Sequence, residues 1–397
     1  MKKSFSIDFL PTILWLYMFT VGFSTSLLSS KLIGRQFMEM FFSAILVTFI
    51  LFKNRYTKQK LLFYIVMILL FLVAGYQTRR VYMLTYALFI MAAANHKSFP
   101  TLIKATVAGI GLSRLIVLIL SQIGVVQDII MTRSAERYEV GLYSTSVHCF
   151  GYIYLHYIPY TFFFISLCLM YLKKRKMSWL EVVLWCLAHN IVYYFCGIRL
   201  ALYLGLFSLV LYVVLVKLNW IQINNSFVKW GLTASFPLAM FISVFVSLNY
   251  DPTNPFYFEL NLFSSGRIRL MKEAFTRYPI TLFGQYIQTY GRESSHGYFY
   301  LDSGYIFTLL GYGVLLSTVV ILMYSCLCWY ACKRKDKVLF IWLVCTLLFT
   351  FSNNGWIYLE YNPILLAFPF VWNEEFREKL RSRQFVLLMD SKSNTYN

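Results

Sequence analysis

Apolar stretches of about 17 to 25 residues recur along the whole chain between short polar breaks, each long enough to cross a hydrocarbon layer of roughly 30 Å as α-helix. Twelve are predicted, near residues 9–29, 36–52, 61–77, 81–95, 104–125, 150–172, 178–197, 200–217, 230–248, 304–332, 338–353 and 362–372, the last of them short. The pattern predicts an all-α integral membrane protein, a single polytopic domain over residues 1–397. Met1-Lys2-Lys3 before the first apolar run resembles a signal peptide, but no small-residue cleavage site stands near Ser24 to Ser30, so the run is read as a retained first span.

Composition agrees: 59% of the 397 residues are hydrophobic and only 13% charged, which no soluble fold of this length requires. The net charge of +19 would suggest nucleic acid until the charges are placed. Short loops holding Lys and Arg favour the cytoplasmic side. With both termini inside, Lys2 and Lys3, Lys53 to Lys60, Lys97 and Lys104, Lys173 to Lys176, Lys217, Lys229, Lys333 to Lys337 and the 373–397 tail all face the cytoplasm. The surplus is then mostly orientation charge facing an anionic inner leaflet, and no nucleic-acid partner is expected. Only Lys31 and Lys272 among the lysines lie outside, against ten arginines. A guanidinium stays charged and offers paired donors to phosphate oxygens, so these arginines point to a bound anion.

Two connections are long: a medium outer loop at 126–149 and a large one at 249–303, and loops of such length are usually functional. The large loop opens with a turn-rich stretch, residues 250–255, whose two prolines prevent continuous helix. Ser264-Ser265-Gly266 then precedes a helical pattern from Arg267 to Arg277, with serine as the expected N-cap and Pro279 as the stop. Leu270, Met271, Ala274 and Phe275 share one face of that helix. Two readings stand for it: an ordinary interfacial helix with solvated arginines, or a helix whose first turn, at Arg267, favours an anion.

Polar groups at membrane depth are Arg114 in the fifth span, His156 in the sixth and His189-Asn190 in the seventh. Such groups are expensive in lipid and face a partner or a cavity. Interhelical hydrogen bonding is the favoured reading for the histidines. The eight cysteines sit mostly inside spans; Cys149 and Cys196 both approach the outer face, where a disulfide between them is a guess. No metal-ligand spacing links histidines and cysteines, so neither metal nor other cofactor is expected. No internal repeat supports an inverted-repeat transporter.

The order of spans and loops resembles the Wzy-type bacterial polysaccharide polymerases, relatives of the O-antigen ligases. The likeness covers the whole architecture, and three groups of residues carry it: Gly197-Ile198-Arg199 heading a Leu-rich span, Ser265-Gly266-Arg267 in the large loop, and Leu282-Phe283-Gly284 followed by Asp302-Ser303-Gly304-Tyr305 and Leu309-Leu310-Gly311. Two departures stand out. Ser146-Val147-His148-Cys149 keeps only the histidine of the family's His-Pro-Asn element, and Asp302-Ser303 replaces the His-Asn that related ligases place at the close of the large loop.

The resemblance implies a GT-C-like bundle of about 12 transmembrane helices in the bacterial cytoplasmic membrane. It also implies an enzyme of capsule, exopolysaccharide or O-antigen synthesis that joins polyprenyl-pyrophosphate-linked oligosaccharide units on the outer face. Donor and acceptor are both lipid-linked, and a flippase and chain-length regulator proteins are the implied partners. No metal is needed if fixed cations neutralise the pyrophosphate as it leaves. Arg267 and Arg199 are the first residues expected there, then Arg269, Arg114 and Arg137. For the proton of the acceptor hydroxyl, Asp302 ranks first, followed by His148, with His296 and Glu360 also in reach. Lys31, Arg35, Arg79, Arg80 and Arg292 are read as plain anchors. An O-antigen ligase-type transferase, a lipid-linked oligosaccharide flippase and a membrane-bound O-acyltransferase remain as alternatives, the last without a motif.

Overall fold

A computed structural model of the chain describes residues 8–31, 34–53, 56–96, 98–133, 145–290 and 298–374. Apolar runs become helices because lipid offers backbone N–H and C=O groups no partner outside the segment. They are α1 (Phe9–Ser24), α2 (Arg35–Lys53), α3 (Lys58–Gln77), α4 (Tyr82–Ala93), α5 (Phe99–Gln122), α6 (Tyr157–Lys173), α7 (Trp179–Cys196), α8 (Arg199–Tyr212) and α9 (Ser226–Leu248). After the large loop with α10 (Pro255–Phe263) and α11 (Arg267–Arg277) come α12 (Gly304–Phe307), a π-helical turn Thr308–Tyr312, α13 (Gly313–Lys333) and α14 (Lys337–Ser352).

Seven of the helical stretches among the described residues are long and apolar enough to cross a membrane, and Phe9–Ser24, Tyr82–Ala93 and Lys337–Ser352 are shorter apolar helices. The protein is thus an all-α, membrane-embedded bundle. Among the described residues the β-strands are an antiparallel pair in the medium loop, β1 (Ile130–Arg133) with β2 (Thr145–His148), in which Ile130 faces His148.

Helix packing follows residue size. α1 lies along α5, where Gly22 meets Ser113 and Gly109 meets the Trp15 backbone, small residues that let two helices approach closely. α9 packs on α13, α2 and α3 on α4, and α8 on α7 and α14.

After α14 the chain runs through an irregular stretch with a 3-10 turn, Gly355–Ile357, and where the short twelfth span was expected it forms a second 3-10 turn, Pro363–Ala367, that continues as helix over residues 368–374. Trp356, Ile357 and Leu359 are nevertheless fully buried. Irregular backbone survives at that depth because side chains meet its polar groups. Tyr324 Oη donates to the Trp356 carbonyl at 2.7 Å, and Asn362 Nδ2 reaches the same oxygen at 3.2 Å. Trp342 Nε1 donates to Asn362 Oδ1 at 2.9 Å, and Trp356 Nε1 to Thr308 Oγ1 at 3.1 Å. Residues 353–362 are therefore a pinned, buried strap.

The large loop holds two helices rather than one. Pro255, which breaks a helix from within, opens α10 as its first residue, capped by Asn254. The N-cap of α11 is Gly266, not a serine: Ser264 is already the C-cap of α10, and Ser265 (φ 61°) and Gly266 (φ 81°) reverse the chain between the helices. Ile268, Leu270, Met271 and Ala274 are buried, and α11 packs on α9 with Lys272 Nζ donating to the Leu248 carbonyl.

Candidate functional site

Two arginines from distant parts of the chain, Arg35 and Arg80, bond the strap directly, and two more, Arg114 and Arg267, lie near it. Arg267, first residue of α11, donates from Nε to Asp302 Oδ2 at 3.1 Å and from Nη1 to the Ser264 carbonyl at 3.1 Å. Asp302 closes the large loop two residues before α12, and Gly304 seats that helix against the strap: a Cβ there would stand 2.5 Å from the Asn353 carbonyl oxygen. Tyr160 on α6 lies near Asn353 and within electrostatic reach of both Arg267 and Asp302.

Arg35 heads α2 and ties together two carboxylates, Glu39 Oε1 at 3.4 Å and Glu360 Oε1 at 3.1 Å. Tyr17 Oη donates to Glu39 and Tyr86 Oη to Glu360, so the carboxylates, 1% and 5% exposed, are held by donors on three helices. The Arg35 guanidinium also covers the Tyr82 ring at 4.6 Å. Arg80, in the turn between α3 and α4, lies over the Phe307 ring at 4.4 Å and donates to the hydroxyls of Tyr312 and Tyr358.

Arg114 of α5 is the most deeply placed. Its Nη1 donates to Thr25 Oγ1 at 2.9 Å, and its face covers the rings of Tyr152 and Tyr157 at 4.5 and 5.3 Å. Its Nε and Nη2 have no hydrogen-bond partner among the described residues, nor does the neighbouring buried Tyr361 hydroxyl. An unpaired buried guanidinium is costly, and an incoming anion would relieve it.

Arg80 and Arg35 thus bond the strap directly, at Tyr358 and Glu360, while Arg114 lies near Tyr361 and Arg267 stands beside Asp302 just before α12. Against them stand three carboxylates, Glu39, Glu360 and Asp302, leaving the group with an excess of positive charge. Burial pushes the Asp302 carboxyl above the ordinary aspartate range, and the adjacent Arg267 pulls it part of the way back.

The remaining residues singled out by sequence lie elsewhere. Arg199 opens α8 exposed and makes no ion pair or hydrogen bond with a described residue. Arg269 is exposed and turns to Glu273, which Arg277 also engages. His148 Nδ1 bonds Asp128 Oδ2 at 2.6 Å at the foot of the hairpin, where Asp128 also accepts the Phe150 N–H at 2.7 Å. Arg137, His296 and Arg292 fall outside the described residues. His156 is ringed by Tyr154, Tyr157 and Tyr160, while His189 packs on Gly205 with Nε2 unpartnered among the described residues, so interhelical bonding does not account for that atom. Cys149 and Cys196 are buried free thiols.

Sequence reading missed Glu39 and Asp128 and set Arg35 and Arg80 aside as anchors. The i,i+4 placement of Arg35 and Glu39 at the head of an apolar helix was the available signal for the first pair. Asp128 carries no local signal, because its partner lies across a hairpin. Among the described residues no three His, Cys, Asp or Glu side chains gather as metal ligands would. No family model, curated protein or solved structure matches this chain, so the site is interpreted from its own chemistry.

Proposed function

We propose that the protein is a polysaccharide polymerase of the bacterial cytoplasmic membrane. In this reading it has twelve spans in a GT-C-like arrangement, both termini in the cytoplasm and the 126–149 and 249–303 loops outside. It joins polyprenyl-pyrophosphate-linked oligosaccharide units without a metal. The observation that carries the reading is the set of arginines around the strap, Arg35 and Arg80 bonded to it and Arg114 and Arg267 near it, together with a raised carboxyl, Asp302, paired with Arg267.

The chemistry runs as follows. The acceptor hydroxyl attacks the anomeric carbon of the donor's first sugar, the C–O bond to pyrophosphate breaks, and the bond electrons leave on the phosphate oxygen. Fixed guanidinium groups stabilise that growing charge more than they stabilise the ground state. Arg267 is the first such group; Arg114, with two unpaired donors, is the second. Engaging Arg267 with the donor's phosphates withdraws the cation from Asp302. Its carboxylate, now less compensated, becomes more basic and takes the hydroxyl proton. The ion pair thus links donor binding to base strength.

The competing reading is a lipid-linked oligosaccharide flippase, which the buried Arg35–Glu39–Glu360 group favours, since charges inside a bundle suit a pathway. Deleting the gene and resolving surface and lipid-linked glycans by size separates them. A polymerase loss leaves single repeat units on lipid at the outer face and no long chains. Lipid-linked units trapped at the inner face would overturn the polymerase in favour of transport.

A further inference from the structure

Beside the arginine group, a cavity of about 330 Å³ opens between the α3–α4 turn and the returning arm of the large loop. Its lining includes Thr78, Arg79, Arg80, Asn354, Tyr286 and Tyr300. Neither arginine faces a carboxylate among the described residues: Arg79 lies over the Tyr286 ring at 4.8 Å, and Arg80 has only aromatic rings and tyrosine hydroxyls. Arg79 also sits at φ 58°, a backbone region that residues with a side chain seldom adopt, in the turn between α3 and α4 that lines the cavity.

That lining combines three features. Flat tyrosine faces suit the C–H face of a pyranose ring. Hydroxyl and amide groups suit sugar hydroxyls, both donating and accepting. Two guanidinium groups that face no carboxylate among the described residues suit a bound carboxylate, by paired hydrogen bonds. A site built only for pyrophosphate would need the cations and would have no use for the tyrosine faces. The volume falls at the small end of ligand pockets, enough for one or two sugar rings.

Resting on the glycan-transfer reading above, we infer that this cavity binds an acidic sugar of the substrate glycan, a uronic acid in class, with Arg79 and Arg80 facing its carboxylate and Tyr286 and Tyr300 its ring. The glycan handled by this protein is then anionic, and the cavity selects for it.

The test uses the full chain in lipid nanodiscs and three probes, with binding read by calorimetry: a tetrasaccharide alternating glucuronic acid and N-acetylglucosamine, a neutral N-acetylglucosamine tetrasaccharide, and inorganic pyrophosphate. The acidic saccharide is expected to bind at least about tenfold more tightly than the neutral one, with the advantage shrinking as salt rises. Arg79→Asn, chosen because asparagine tolerates positive φ, removes most of that advantage. Tyr286→Leu weakens both saccharides alike and serves as the second variant. Equal binding of the two saccharides, or of neither, overturns the inference. So does binding of pyrophosphate alone through Arg79, which would give the cavity to the leaving group. Binding is read without turnover, so the two proposals fail separately. A chain that prefers the acidic saccharide yet forms no polymer sinks the polymerase alone; one that polymerises but does not discriminate sinks this inference alone.

Discussion

Arg267 Nε and Asp302 Oδ2 stand 3.1 Å apart, joining the head of α11 to the far end of the same loop. Both side chains are about a quarter exposed, so the pair sits at the rim of the site, open to an incoming anion. Arg267→Ala is expected to abolish polymer, a loss on the order of 10²-fold or more in rate. Arg267→Lys should retain little, because one ammonium cannot reproduce a planar fork that bonds Asp302 and the Ser264 carbonyl together. Sizing lipid-linked and surface glycans by gel checks both; wild-type chain length from Arg267→Ala removes the residue from the site.

The acid limb of the pH profile should belong to Asp302. Burial raises its carboxyl above the ordinary aspartate range, more than Arg267 lowers it. Between the two values the folded protein keeps a proton that the unfolded chain has lost. The base is therefore competent only as pH rises through the raised value, and kcat/KM climbs there. Stability has the opposite slope: the folded state binds more protons in that window, so this group's contribution is full below the ordinary value and is lost as pH rises through the raised one. Asp302→Asn should flatten both trends. An unchanged acid limb in Asp302→Asn would assign it to another group.

Glu39 and Glu360 depend on Arg35. Removing the cation leaves two buried carboxylates near each other with tyrosine hydroxyls to hold them. Breaking a buried ion group by taking one partner costs about 3–5 kcal/mol. Arg35→Leu should therefore lower the melting temperature in detergent markedly, and adding Glu39→Gln with Glu360→Gln should restore most of the loss. If Arg35→Leu melts like the wild type, the carboxylates are not held by that guanidinium.

Helix existence was legible from apolar run length, since lipid forces one local solution on such a run. Two places resisted for opposite reasons. Residues 353–362, just before the last apolar run, form a buried strap whose polar groups are met by Trp342, Tyr324 and Thr308 from other helices. No local pattern announces partners that distant. The medium loop holds a hairpin whose four-residue strands are too short for alternation to be read. At the site, Arg267 and Asp302 could be picked out because loop position and resemblance both marked them. Arg35 and Arg80 looked like interfacial anchors, since a lone arginine at a helix end has that role by default; only the fold reveals Glu360 and Tyr358 opposite them.

Gly284 lies against Gly311 where the large loop returns to the bundle, and the two glycines should respond very differently to the same substitution. At Gly284, φ is 85° and an added Cβ would overlap the Gly311 carbonyl. That backbone is held by the Gln285 N–H on the Gly311 oxygen at 3.0 Å and by the Val314 and Leu315 N–H groups on the carbonyls of Thr281 and Leu282. Gly284→Ala should therefore cost about 1–3 kcal/mol from backbone strain alone, with the overlap added, and release the arm that carries Tyr286. The expected readouts are a lower melting temperature, faster proteolysis within residues 279–290 and a rate reduced at least about tenfold, a drop that 1.4 kcal/mol of lost positioning suffices to produce. At Gly311 the nearest atoms to a Cβ, on Ile287 and Phe307, are 3.5 Å away, ordinary van der Waals contact at a helical φ. Gly311→Ala, buried but without a clash, should cost far less than Gly284→Ala. Measuring both variants side by side decides the matter: equal damage would mean that tight packing, not the left-handed turn at Gly284, fixes the loop to the bundle.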